Sequence, residues 1–238
     1  MPSISLVRPG NEGQSERKSL MAIITSFVEP RRLYRYRSLD KFDQEMESIQ
    51  QSYLFCSAYQ DLNDPMEGRF TSSGRFRASP GHHAVKEAIV NNKARLGMCS
   101  FSEIHNHELM WAHYAHHFSG ICIGYSVRLL LQNLPGDVSF VRMSYNERAP
   151  AVVRGDVGPE KLAKMILSHK SYRWLYEREW RMFAQIGKVD YRSTNCVTCV
   201  YLGYRISRGH RKQLGDLLNR LGIEKKEMGI TKYAIEFE

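Results

Sequence analysis

The sequence predicts a single α+β domain: a mixed, mostly antiparallel sheet with helices packed around it. Three observations predict it. Short strand-like runs recur along the chain, separated by single helical segments without a regular βαβ rhythm. Neither GxGxxG nor GxxxxGK followed by Ser or Thr occurs, so the phosphate-binding turns of doubly wound and P-loop folds are not expected. At 238 residues, with no low-complexity linker, the chain suits one elaborated domain better than two.

Leu33-Tyr34-Arg35-Tyr36-Arg37 alternates and reads as the first strand, with Leu33, Arg35 and Arg37 on one face and Tyr34 and Tyr36 on the other. Ser38 or Asp40 is placed to cap a helix carrying Phe42, Met46 and Ile49 through about Gln51. Tyr53–Ala58 is a second strand. It runs into Asp61-Leu62-Asn63-Asp64-Pro65, where Asn and Asp bond their own backbone and Pro ends regular structure. Residues 71–83 read as an exposed loop, 84–95 as a helix, 96–101 as a strand, 108–118 as a helix and 121–125 as a strand. Strand character returns over 138–145. Pro159 opens a helix over 159–174 whose Leu162, Met165, Ile166 and His169 share a face. Strands follow at 179–186 and 197–202, then a Leu-rich helix at 209–221 ended by Gly222, and a last strand at 233–237. Residues 1–18 are polar and read as a loose arm ahead of a domain spanning 19–238.

A hydrophobic fraction of 42% fits a globular protein. No apolar run approaches the roughly 18 residues of a membrane span. The apolar stretch 21–28 is too weak for a secretory leader, so a cytoplasmic location is expected. Five cysteines, an odd number and mostly in strand-like runs, fit reduced thiols rather than a disulfide framework. The net charge of +9 points to an anionic partner, namely nucleic acid, a nucleotide or an acidic protein.

Several motifs carry chemistry. His113 and His117 have ligand spacing on a helix, but no HExxH accompanies them and no third ligand is evident, so no metal site is expected. Cys196-Val197-Thr198-Cys199 enters a strand rather than a helix and reads as packing thiols. Cys99-Ser100-Phe101-Ser102-Glu103, followed by Met110-Trp111-Ala112-His113-Tyr114-Ala115 and Gly120, concentrates polar and aromatic groups more densely than core packing requires. Asn63, Asp64 and Glu67 crowd a non-regular segment suited to lining a cleft. In Tyr176-Glu177-Arg178-Glu179-Trp180-Arg181, two carboxylates two positions apart share one face of a strand, with Arg178 opposite. Such a pair can divide labour, one carboxylate stabilising an oxocarbenium-like sugar centre while the other activates an acceptor.

Four of these blocks, Leu33–Arg37, Asn63–Glu67, Ser100–Tyr114 with Gly120, and Glu177–Arg181, resemble in order and spacing a bacterial and phage family named domain of unknown function 2971, over roughly residues 31–205. Phe118 departs from that pattern, which often has His two residues before the Gly. The family name brings no reaction. More distantly, Arg on a first strand, Ser on a second and Glu-x-Glu before a later strand is similar to ADP-ribosyltransferases of the Arg–Ser–Glu type, and a split sheet would follow from that likeness. Cys56-Ser57-Ala58 lacks their usual flanking Thr and Ser.

The second resemblance implies roles. Arg35, or Arg37 on the same face, would hold the phosphates of NAD, and Ser57 would brace its ribose. Glu179 would accept a hydrogen bond from the ribose 2′-hydroxyl and stabilise the oxocarbenium-like transition state, and Glu177 would orient or deprotonate the acceptor, with Tyr34, Tyr36 or Trp111 stacking on nicotinamide. Ser102, Glu103, His113 and Tyr114 complete the list of cleft candidates. The expectation is an NAD-consuming transferase or glycohydrolase of the toxin, effector or phage-defence kind, acting on nucleic acid or protein, with an antitoxin or other partner protein as a candidate partner. The alternative is a non-catalytic nucleic-acid or partner-binding module stacking bases on Trp111 and Tyr114. A metal-dependent nuclease using Asp64, Glu67, Glu103 and nearby histidines is the weaker third reading.

Overall fold

Alternation along the strands decides what each face of the sheet buries, and it places the candidate residues on different sides. The computed structural model describes residues 23–24, 30–153, 155 and 157–238; the arm expected at 1–18 lies outside them. In chain order the strands are β1 (Ile23–Ile24), β2 (Arg32–Arg37), β3 (Tyr53–Ala58), β4 (Thr71–Ser72), β5 (Gly97–Ser102), β6 (Ile121–Ser126), β7 (Ser139–Arg142), β8 (Ser144–Asn146), β9 (Ala151–Val152), β10 (His169–Ser171), β11 (Glu179–Ala184), β12 (Gly187–Asp190), β13 (Val197–Leu202), β14 (Lys225–Thr231) and β15 (Ala234–Phe237). The helices are α1 (Phe42–Gln50), α2 (Gly74–Arg77), α3 (His82–Arg95), α4 (Glu108–Tyr114), α5 (Val127–Asn133), α6 (Pro159–Ile166) and α7 (Arg208–Leu221), and a 3-10 turn occupies Tyr172–Glu177.

The main sheet runs β1-β7-β11-β5-β2-β6-β13-β14-β15, with β3 pairing both β5 and β12. The β1–β7 and β13–β14 pairs are parallel and the other pairs of this sheet are antiparallel, which makes the α+β class plain. One edge of β5 is shared: Ser102 pairs with Tyr34 of β2, while Met98 and Gly97 pair with Ser57 and Ala58 of β3, so the sheet forks there.

On one face, Leu33, Cys99, Phe101, Ile121, Ile123, Trp180, Met182 and Val200 pack against Ile49 of α1, Leu130 of α5 and Leu214, Leu217 and Leu218 of α7. On the other, Tyr34, Tyr36, Cys122, Cys199 and Tyr201 pack against Met110 and Trp111 of α4. Burying these apolar groups drives both layers together. All five cysteines are buried and free.

Some elements depart from expectation for local reasons. The helix expected over 159–174 ends at Ile166, because Ser168 closes it with its backbone N–H on Met165 O and its hydroxyl on Lys164 O; His169–Ser171 then pairs with β8. Strand pairing outweighs the helical periodicity there. Strand 138–145 is divided at Met143, whose N–H donates to Glu179 O, after which Ser144 donates to Ser168 O and the chain changes partner. The helix expected to Phe118 ends at Tyr114, because His116, His117 and Phe118 take left-handed φ values of 44°, 53° and 70°. Gly120 follows, where a Cβ would lie 2.2 Å from Arg37 O. Neither Ser38 nor Asp40 caps α1: the Ser38 hydroxyl accepts from Asp40 N, and Asp40 pairs with His116 at 3.1 Å.

Candidate functional site

Strand register on the α4 side of the sheet brings ionic groups together. Glu179, Arg181 and Phe183 face Ser102, Ser100 and Met98 across the β11–β5 ladder. Opposed residues of an antiparallel pair share a face, so Glu179 and Arg181 project where Ser100 projects. Glu177 precedes the strand, at the end of the 3-10 turn, and is not the strand residue that the sequence reading expects. It reaches the same side because Arg178 between the two takes a left-handed φ of 44°. A bulky β-branched residue tolerates that conformation poorly. Arg178→Val is therefore expected to cost about 1–2 kcal/mol, whereas Arg178→Gly stays within about 1 kcal/mol of wild type. Urea unfolding of both variants checks this.

The result is a five-membered ionic network. Lys170 Nζ contacts Glu177 Oε2 at 2.5 Å, Glu67 Oε1 at 3.3 Å and Glu179 Oε2 at 3.3 Å. Arg181 contacts Glu67 Oε2 at 2.6 Å and Glu179 Oε1 at 2.7 Å, and donates to Leu167 O at 2.7 Å. These five side chains are 1–4% exposed. The Ser100 hydroxyl donates to Glu179 Oε1 at 2.6 Å, and the Ser102 hydroxyl to Glu177 O at 2.6 Å. One path leads outward: Asn63 Nδ2 donates to the Tyr114 hydroxyl at 3.0 Å, and that hydroxyl donates to Glu177 Oε1. Asn63 is exposed and Tyr114 half-buried, so Glu177 is the member connected to the surface.

Three carboxylates face two cations, so with every group ionised the cluster carries one uncompensated negative charge. The carboxylates share it unequally. Burial pushes the Glu177 carboxyl up, and Lys170 opposes the shift without cancelling it. Burial would raise Glu179 too, but the Arg181 guanidinium and Lys170 hold it down at about 2. Against burial, Glu179, Glu177 and Glu67 keep Lys170 protonated. Two carboxylates driven apart in this way have the pattern of a proton-exchanging group beside a fixed anion.

The shifts predict an acid limb of stability. Glu179 has its pKa lowered on folding, so its contribution is present above its ordinary value of 4.5 and is lost as pH falls toward about 2. Glu177, raised on folding, works in the opposite sense: its contribution is present below 4.5 and lost as pH rises through its folded value. Urea midpoints measured from pH 6 to pH 2 are expected to fall across this acid window, with a shallower decline in Glu179→Gln. An equal slope in the variant would show that Glu179 does not carry the limb.

The family resemblance gains a spatial meaning here. Asn63 and Glu67, Ser100 and Ser102, Tyr114, and Glu177, Glu179 and Arg181 come from three of its blocks and meet in one cluster. Residues 110–182 match a family model described as a protein of unknown function, DUF2971. The DUF2971 match covers Tyr114, Lys170, Glu177, Glu179 and Arg181; Asn63 and Glu67 lie before it. No curated protein and no solved structure matches the chain.

Other sequence candidates lie elsewhere. Arg35 shares a face with Leu33 and pairs in register with Ile123, on the side opposite Glu179. Its guanidinium donates to Phe55 O at 3.0 Å. Arg37, on the same side, is held by buried Glu45 of α1. Ser57 faces the Met98 side. The Arg–Ser–Glu arrangement is therefore not assembled: the sheet itself separates the arginines from Glu179, whose carboxylate is already committed to Arg181, Lys170 and Ser100. Nor are Tyr34, Tyr36 and Trp111 open stacking surfaces, since all three are core residues. The Tyr36 hydroxyl donates to Ile104 O at 3.0 Å, and Trp111 Nε1 to His105 O at 2.8 Å. Asp64 accepts from Met66 N in its own turn. Glu103 pairs with Arg142 and accepts from Trp180 Nε1. His113 is exposed. Among the described residues, no three His, Cys, Asp or Glu side chains are grouped to hold a metal ion, and no helix is long and apolar enough to cross a membrane.

Sequence reasoning did not assign Lys170 or a role for Arg181. Arg181 had a signal, since Glu179 and Arg181 alternate on one strand face. Lys170 had none, because its segment reads as helix.

Proposed function

We propose that this chain is an enzyme acting on a nucleotide or nucleic acid, with Glu177 as its proton-handling carboxylate. The observation that carries the reading is the pairing of Glu177, raised by burial and joined to the surface through Tyr114 and Asn63, with Glu179, held as an anion by Arg181 and Lys170. Relative to the roles implied by the transferase resemblance, Glu177 takes the acid–base part. Glu179 keeps the local field negative rather than touching a ribose.

NAD is the first substrate to try. Its ribose–nicotinamide bond breaks with the electron pair leaving on neutral nicotinamide. An acceptor hydroxyl or water forms the new bond to the ribose carbon, and its proton passes through Tyr114 to Glu177. The net charge of +9 favours anionic substrates in general.

The test incubates the full chain, Glu177→Gln and Tyr114→Phe with labelled NAD, alone and with RNA or DNA, following nicotinamide release and label transfer. RNA and DNA turnover is followed in parallel. Expected is turnover by wild type that drops about 100-fold or more in folded Glu177→Gln, with a smaller loss in Tyr114→Phe. Undiminished turnover in Glu177→Gln, or none by folded wild type on any of these substrates, overturns the proposal.

A further inference from the structure

The 3-10 turn Tyr172–Glu177 lies directly over the network. Three residues per turn align i with i+3, and the side chains sort accordingly. Trp174 and Glu177 point inward, where Lys170 Nζ lies 5.0 Å from the Trp174 ring centroid and 2.5 Å from Glu177 Oε2. Tyr172 and Leu175 point outward, 55% and 44% exposed. Arg173 and Arg178 are also exposed, and neither makes an ion pair among the described residues.

A further guanidinium joins them. β8 and β10 pair in parallel, with Ser171 opposite Asn146, so the chain after each strand leaves at the same end. Exposed Arg148 follows β8 there, as does the exposed, acidic Glu147, and neither makes an ion pair among the described residues. Arg142, 57% exposed and paired with Glu103, borders the strip, since Glu103 N donates to Arg178 O.

We infer that the outer face of Tyr172–Arg178, with Arg148, is a contact surface for single-stranded nucleic acid. The inference rests on the proposed function for the substrate class but not on turnover. An exposed Tyr among exposed arginines offers a flat ring for a base and several planar donors for phosphates. A duplex hides its base faces and leaves Tyr172 without a stacking partner; an acidic peptide has no base to stack. Charge complementarity and the ring together therefore select a single strand over either.

The test is fluorescence anisotropy of labelled single-stranded RNA and DNA oligonucleotides on the full chain over a salt series. A matching duplex and polyglutamate serve as competitors. Single strands are expected to bind more tightly than either competitor, with affinity falling log-linearly in salt. Tyr172→Ala is expected to weaken binding roughly tenfold. Arg173→Ala is expected to reduce the salt slope by about 1. Both residues are exposed, so unchanged thermal melts confirm that the variants fold. Equal competition by polyglutamate, indifference to both variants, or no binding at low salt overturns the inference. Unaltered oligonucleotide binding with turnover lost in Glu177→Gln upholds this surface and the proposed function together. NAD turnover without any oligonucleotide binding removes the surface alone.

Discussion

Arg181→Met is expected to cost about 3–5 kcal/mol of stability, because it strips the partner from charges that have no access to water. Arg181 is 1% exposed, and its guanidinium serves Glu67, Glu179 and the Leu167 carbonyl at once. Methionine fills most of the volume while leaving two carboxylates to compete with Glu177 for Lys170. With every group ionised, the surplus negative charge of the cluster would rise from one to two. The protein would respond by protonating a carboxylate or by admitting water, and either response costs stability. The second variant separates charge from packing: in Arg181→Met with Glu67→Gln one carboxylate is neutralised, and part of the loss is expected to return. Urea denaturation at neutral pH measures both. A loss below about 1 kcal/mol in the single variant would mean that the network is hydrated and behaves like a surface ion pair.

Trp111→Ala is expected to cost a similar 3–5 kcal/mol. Trp111 is fully buried in α4, edge-on to Tyr36 with ring centroids 5.4 Å apart. Truncation opens a cavity beneath the helix that carries Tyr114 and leaves the His105 carbonyl without its indole donor. The measurement also discriminates between roles. A base-stacking residue would lose affinity for nucleotide with little loss of stability. For a core residue, stability falls while affinity per folded molecule is retained. Thermal unfolding alongside NAD and oligonucleotide titrations at matched folded fraction decides between them.

How much of this was legible in the sequence follows from the range of the forces involved. β2, β3, β5, β6, β11 and β13 announced themselves through alternation or apolar runs, because a strand half-buried on each side needs that pattern. β14 carries Lys225, Lys226 and Glu227 and buries only Met228, so it showed no comparable signal. β10 was hidden inside a helical pattern that its pairing with β8 overrode. The blocks containing Asn63, Ser102, Tyr114 and Glu177 stood out as polar groups in apolar surroundings, and they do converge. What could not be read was whether Arg35 would share a face with Glu179. Alternation fixes faces within one strand but not between strands whose register is unknown, and the Tyr34–Ser102 pairing, with Leu33 and Trp180 in one core, settles the relation. The role of Lys170 was equally invisible: Glu177 and Glu179 are only 7 and 9 positions away, but the segment carrying Lys170 reads as helix, and its third partner, Glu67, comes from a distant turn.

The distance along the chain between network members also bears on the order of events as the protein folds. Ser100 and Glu179 are 79 positions apart, Tyr114 and Glu177 are 63, and Asn63 and Tyr114 are 51. Each ionic side chain does best in water until all its partners are present, since a desolvated charge with half its partners is worse off than a hydrated one. The docking of β11 that closes the cluster is therefore expected to follow the rate-limiting barrier. In stopped-flow experiments, Arg181→Met should then steepen escape from the native state and leave the refolding limb almost untouched. By this account the network acts as a latch on the finished molecule, one that sets how long the native state survives and has little influence on how fast it is reached.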